Sequence, residues 1–357
     1  MSVHLAMFTD AFLEPYRTRG DARADAAIAE LGDAKPGGLL RAVEARASRG
    51  GPCHELLLHA RTVPSWVDFE AMAPGHARAM EHSISAGLTL LTASLVESFA
   101  SAKAAKVLVR SGRLRTVPAR RLFETARYVF DIALSHGAPP DSKAHRNVLE
   151  VRLLHAFIRR QILTRGAWDA GWGHPINQED YASTLLMFSH VFVRGLERLG
   201  VAFNDEERAG VHHTWRWVGH VMGVDEALLS KDVREERALY DAMTERQFTP
   251  DDDSRALAHG LLDAMASKPP FYLPRVALHT LSRRLVGDRL GDALRLRHSR
   301  RWERAFGGLA RLAAAHDRVE RRAPLGRTIA HGFGQLVTER IIRQGLGSAS
   351  ESWAGSR

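Results

Sequence analysis

Apolar residues recur at three- and four-residue spacing along most of the chain, and no stretch alternates apolar and polar positions as a half-buried strand does. Breakers divide the pattern at intervals suited to a bundle: Gly37-Gly38, Gly50-Gly51-Pro52, Pro64, Pro74-Gly75, Pro118, Gly137 to Pro140, Gly171 to Pro175, Pro250, Pro269-Pro270 and Pro324. The segments between them predict helices of roughly 15–25 residues, longer than the average helix. The expected fold is all-α: a single multi-helix domain of long core helices over residues 63–345. An Ala- and Gly-rich helical cap or lid precedes it (1–62), and a disordered tail follows (346–357).

The segment after Pro175 shows how the pattern works. Pro175 breaks what precedes it, and Asn177 or Asp180 can cap the exposed amides of a new helix. Leu185, Leu186, Phe188, Val191, Val193 and Leu196 then give a wide apolar surface, and Gly200 stands where a C-cap belongs. A helix of this kind is central, so His190 within it is expected to be buried or to line a cavity.

Cations and imidazoles also fall at helical spacing on apolar segments. Arg152, His155 and Arg159 sit at i, i+3 and i+7, as do His213, Arg216 and His220. Guanidiniums facing a core need anions. Glu124, Glu150 or a bound acidic cofactor would serve the first row. The second row reads equally as an interhelical polar stripe, because Trp215 and Trp217 take the other faces.

Composition narrows the chemistry. The 357 residues are 45% hydrophobic and 25% charged, as in a globular protein. The net charge of +9 is carried mainly by arginine, since lysine stands only at positions 35, 103, 106, 143, 231 and 268. The basic runs at 110–121 and 295–304 read as solvated helix ends, and no nucleic-acid motif accompanies them, so no nucleic-acid partner is expected. Cys53 is the only cysteine, which excludes an internal disulfide, a cysteine zinc site, an iron–sulfur cluster and covalent haem attachment. No Glu is followed three residues later by His, which argues against a di-iron carboxylate bundle, and H-E-x-x-H, G-x-S-x-G and P-loop motifs are missing. The most apolar run, Ile84 to Val96, is too short to span a bilayer, and the N-terminus has no basic start leading into an apolar core. A cytoplasmic protein without an integral membrane segment is expected.

Three blocks, VRLLHAFIRR (151–160), GWGHPINQEDYASTLLMFS (171–189) and HHTWRWVGHVMGV (212–224), occur in an order and spacing that resemble the rubber-oxygenase (latex clearing protein) and MpaB-type oxygenase superfamily. VPSWVDFE, ARRLFETARYV, LPRVALHTL and VGDRLGDAL echo it on either side, so the similarity spans roughly residues 60–295. The resemblance implies an all-helical fold enclosing a haem b, with an axial histidine, dioxygen as co-substrate and a small hydrophobic, unsaturated substrate. Arg152 matches a distal arginine of the family. His155 stands where the rubber-cleaving members have a lysine, and Ala156 where they have a threonine, which departs from rubber cleavage itself. His190 is the expected axial ligand of the iron, with His220 as the alternative. Arg216, with His213 beside it, is expected at the haem, the guanidinium taking a propionate. Arg152 and His155 are the candidate catalytic pair. The competing reading is a non-catalytic helical module that keeps the fold and binds a ligand or partner. A peroxide-using haem enzyme is a third.

Overall fold

The computed structural model describes residues 7–33, 35–110, 118–166, 168–321 and 324–346. Among them the chain is mainly helical, with no strand and one isolated bridge between Ser101 and Phe248. This is the all-α class that the spacing predicts. Four short helices come first: α1 (Asp10–Arg17), α2 (Ala22–Leu31), α3 (Leu39–Ala47) and α4 (Pro52–Arg61). Then follow α5 (Ala73–Glu81), α6 (Ser83–Thr89), a π-helical turn (Leu90–Ser94), α7 (Leu95–Ser98) and α8 (Ala102–Arg110). The central helices are α9 (Pro118–Leu134), α10 (Lys143–Thr164), α11 (Gln178–Phe188), α12 (His190–Arg198) and α13 (Asp205–Val221). The chain closes with α14 (Val233–Gln247), α15 (Asp252–Met265), α16 (Arg275–Val286), α17 (Asp288–Ala293), α18 (Arg300–Glu320) and α19 (Pro324–Leu346). Residues 347–357 of the expected disordered tail, and 111–117 of the first basic run, lie outside the described residues.

Local chemistry sets the helix starts. Asn177 with Asp180, and Asn204 with Glu207, form capping boxes in which each pair satisfies two amides that α11 and α13 would otherwise leave bare. The long helix expected from Asn177 to Gly200 is two helices. Ser189 departs from helical geometry (φ −106°, ψ −84°), its amide and hydroxyl both bonding back to the Leu185 carbonyl. A serine hydroxyl competing for the i−4 carbonyl bends a helix without proline or glycine, and the apolar spacing runs through the break unchanged.

Two apolar clusters make the core. The main one joins α2–α4 to the central helices: Ala24, Ala27, Ile28, Leu39, Leu40, Cys53 and Leu56 are buried with Leu153, Tyr181 and Trp217. The N-terminal segment is thus packed against α10 through its own apolar faces. The second cluster gathers Leu91, Val96, Phe99, Leu257, Leu261 and Leu278 from the π turn, α7, α15 and α16. No described helix is long and apolar enough to cross a membrane.

One turn shows how closely the layers meet. Gly200 ends α12 at φ +93°, and a Cβ there would overlap the Ala310 carbonyl oxygen of α18. Gly200→Ala therefore meets both backbone strain and a rigid obstacle. It is expected to cost about 1–3 kcal/mol, read as a lower urea midpoint with unchanged slope.

Candidate active site

The larger apolar cavity, of about 260 Å³, lies where the two core clusters meet. Leu95, Phe99, Leu108, Leu122 and Leu261 form one side; Leu154, Ile158, Tyr181 and Phe188 form the other. His155 projects from α10 onto this wall and is the one histidine among the described lining residues. Its ring lies 5.5 Å, centre to centre, from that of Tyr181. Tyr181, Thr184 and Phe188 follow at i, i+3 and i+7, so one face of α11 lines the cavity beside His155.

Two polar atoms near this wall have no hydrogen-bond partner among the described residues. The Tyr181 hydroxyl and Asp180 Oδ1 are buried without a hydrogen bond, although both residues line the cavity. Unpaired buried polar atoms are costly, and in native proteins they tend to mark a functional group. Burial pushes the Tyr181 phenol above its usual range, so it stays protonated. Burial also raises the Asp180 carboxyl to about 6, against the pull of Lys103 and of its hydrogen bond from the Asn177 amide. An acid whose folded pKa exceeds its unfolded value of about 4 favours folding in its protonated form. That contribution is complete below about pH 4 and is lost as pH rises to about 6. Asp180→Asn is expected to flatten this part of the stability–pH curve and to raise the melting temperature at pH 7. Parallel curves for the two proteins between pH 4 and 7 would refute it.

Arg152 lies outside the cavity wall. Its guanidinium is fully buried, with Nε and Nη2 on the two oxygens of Asp21 at 2.6 and 2.8 Å. Its Nη1 donates to the Val221 carbonyl at 2.8 Å and lies 3.4 Å from His59 Nδ1. Arg152 thus ties α2, α10 and the end of α13 together. Gly223 makes room for it, since an added Cβ would run into the guanidinium. Arg159 repeats the arrangement two turns on, with Asp25 at 2.9 Å and the Ile176 carbonyl at 2.6 Å. The anions for this row come from the N-terminal helix α2 and not from Glu124 or Glu150. Asp21 and Asp25 escape a sequence reading that treats the first 62 residues as a lid.

The other expected ligands stand elsewhere. His190 opens α12 with its ring 4.5 Å from that of Tyr240; burial, helped by Arg194, lowers its pKa to about 3. The neighbouring Arg194 bonds Glu97 and the Tyr240 hydroxyl, each at 2.6 Å. His213 Nε2 accepts the Asp68 amide at 2.9 Å, and Arg216 lies over the Trp66 ring at 4.0 Å. His220 stacks on His59 at 4.6 Å, with its Nε2 buried and lacking a hydrogen bond. His213, Arg216 and His220 therefore share the Trp66 side of α13, as their spacing predicts, but none of them lines the larger cavity, and neither does His190.

Haem requires an apolar slot, a side chain that ligates the iron, most often a histidine, and surroundings for two carboxylates. The larger cavity supplies the slot and, in His155, the nitrogen. No arginine or lysine is found on its described lining. The donor set fits an iron porphyrin at the metal; it does not reproduce the propionate contact expected of Arg216. A smaller apolar cavity of about 90 Å³ lies beyond Phe188, which lines both. Its lining histidine, His76, bonds the Thr214 hydroxyl through Nε2 at 2.9 Å and leaves Nδ1 without a hydrogen-bond partner among the described residues.

Comparison with known proteins agrees with this architecture. The family model described as "ER-bound oxygenase mpaB/B'/Rubber oxygenase, catalytic domain" matches residues 76–315. A rubber oxygenase of Streptomyces sp. (strain K30) is 24% identical over 249 residues, which cover 69% of this chain and 61% of that protein. The solved structure of latex clearing protein in its closed state superposes with a TM-score of 0.70 at 21% identity, covering 90% of this chain and 91% of that one. At that identity the likeness speaks for the fold.

Proposed function

From the chain's membership of the mpaB/rubber oxygenase catalytic-domain family, we propose that it is a haem b-dependent oxygenase, with His155 as the protein's ligand to the iron. One observation carries the assignment: His155 is the imidazole on the wall of the larger apolar cavity, whereas His190 and His220 pack against Tyr240 and His59. The role expected for His190 passes to His155 on that ground. The substrate class is a hydrophobic hydrocarbon, because leucine, isoleucine and phenylalanine make most of the lining; that it is unsaturated follows from the family's oxygenase chemistry.

When bound, haem supplies the activation of dioxygen, which the side chains themselves cannot perform. The chain's own contributions are separate. His155 fixes the position of the reacting centre, and Leu154, Ile158 and Phe99 exclude water from it. Tyr181 holds a proton on the same wall, and Asp180 takes one up only as pH falls through about 6. Arg152 acts at one remove: its clamp on Asp21 and Val221 sets α10 against α13 and so orients His155 one turn away. The net reaction proposed is cleavage of a carbon–carbon double bond by one dioxygen, giving two carbonyl groups.

The test is incubation of the haem-loaded protein with an oligoisoprenoid under labelled dioxygen. Carbonyl ends carrying the label are expected. Tight binding of the hydrocarbon without oxygen uptake or product would overturn the enzymatic reading in favour of a binding module.

A further inference from the structure

The last two described helices, α18 and α19, carry a surface that the active site does not explain. Among the described residues, Leu309, Leu312 and Val319 of α18 and Ile329, Phe333 and Leu336 of α19 are each between 59% and 74% exposed. They are not scattered. Ala305, Leu309, Leu312 and Val319 fall at i, i+4, i+7 and i+14, forming one apolar strip along α18. Ile329, Phe333 and Leu336 fall at i, i+4 and i+7, forming one along α19. Isolated exposed apolar residues need no explanation, but two such strips on adjacent helices do.

Charge runs beside them. Arg300, Arg304, Arg311 and Arg318 stand at i, i+4, i+11 and i+18, an exposed row next to the apolar strip of α18. The strip of α19 leads into Arg340 and Arg343 on the same face. Only Arg343 of these six has an ion pair among the described residues, with Glu339. Between Arg300 and Leu346 ten arginines face four acids, so this stretch holds six of the chain's nine net positive charges.

We propose that the exposed face of α18 and α19 docks on an anionic lipid surface. An apolar strip flanked by arginines suits a helix lying in the headgroup layer, its apolar side chains in the acyl boundary and its guanidiniums on lipid phosphates. A second copy of the chain fits less well, because a two-fold contact through this face brings the same arginine rows into one interface. The placement also serves a hydrophobic ligand. The inner face of α19 carries Thr338 on the wall of the smaller cavity, and its Gly334 packs on Met80, which lines it too. The docking helix therefore separates that cavity from the surface on which the protein would rest.

The test is flotation of the full chain with vesicles of phosphatidylcholine alone or mixed equally with phosphatidylglycerol, at low and high salt. Binding is expected only to the anionic vesicles, and it should weaken at high salt. Arg304→Gln with Arg311→Gln and Arg318→Gln should weaken it roughly a hundredfold, since each arginine near such a surface is worth about fivefold. Leu309→Ser with Leu312→Ser and Phe333→Ser should abolish it; all six positions are exposed, so melting temperatures should be unchanged. Equal binding to neutral vesicles, no binding to either, or a concentration-dependent dimer lost in the serine variant would each overturn the proposal. Haem content plays no part in this readout, so its outcome is separate from that of the oxygenase reading.

Discussion

His155→Ala is expected to lose haem while keeping its fold. The imidazole is the nitrogen donor on the described wall of the larger cavity, and removing it leaves that wall without one. Haem retained after purification should fall by roughly tenfold or more, because even the loss of groups that merely support a ligand weakens metal sites by about 10- to 100-fold. His155 is half-buried and ends at a cavity, so the truncation should enlarge a space that already exists, and stability should change little. Added imidazole should restore the spectrum, which a merely structural role for His155 would not allow. His190→Ala provides the contrast. Its ring packs on Tyr240 away from the cavity, so that protein should keep its haem and its axial spectrum. Loss of haem from His190→Ala with retention in His155→Ala would return the axial role to His190.

The second large effect concerns stability. Arg152→Ala is expected to cost about 3–5 kcal/mol, because it strands the Asp21 carboxylate in the core and leaves the Val221 carbonyl unbonded. The partner is as informative as the arginine. Arg152→Met combined with Asp21→Asn removes both charges and should recover much of the loss, since an uncharged pair leaves no ion to be desolvated. Urea unfolding of the single and double variants reads this directly. Equal losses in both would mean that the pair contributes through packing alone. The weakened single variant should also loosen α2 from α10, visible as faster amide exchange in residues 22–31.

The helices were legible because a period of 3.6 survives in nearly every segment, and because Asn177 and Asp180 announce a cap. The break at Ser189 was not, since a back-bonded hydroxyl leaves no mark on apolar spacing. The site was legible in part. Spacing places His213, Arg216 and His220 on one side of α13, and the structure finds all three beside Trp66 or His59. It also places Arg152, His155 and Arg159 along α10, but three side chains spread over two turns do not share one environment. Both arginines turn to carboxylates on α2, while His155 turns to the cavity. Which imidazole meets empty space depends on long-range packing: the α7–α8 segment and Leu261 form the wall facing His155, more than forty residues away in either direction. The same limit hid Asp21 and Asp25, whose short polar side chains look like ordinary surface caps until α10 is laid against them.

The account stands on haem in the His155 cavity. The absorption spectrum of the purified full chain, before and after dithionite, with a pyridine haemochrome assay, tests that most directly. A Soret band and a b-type haemochrome at roughly one haem per chain is the predicted result. A colourless protein that takes up no added haem would contradict it.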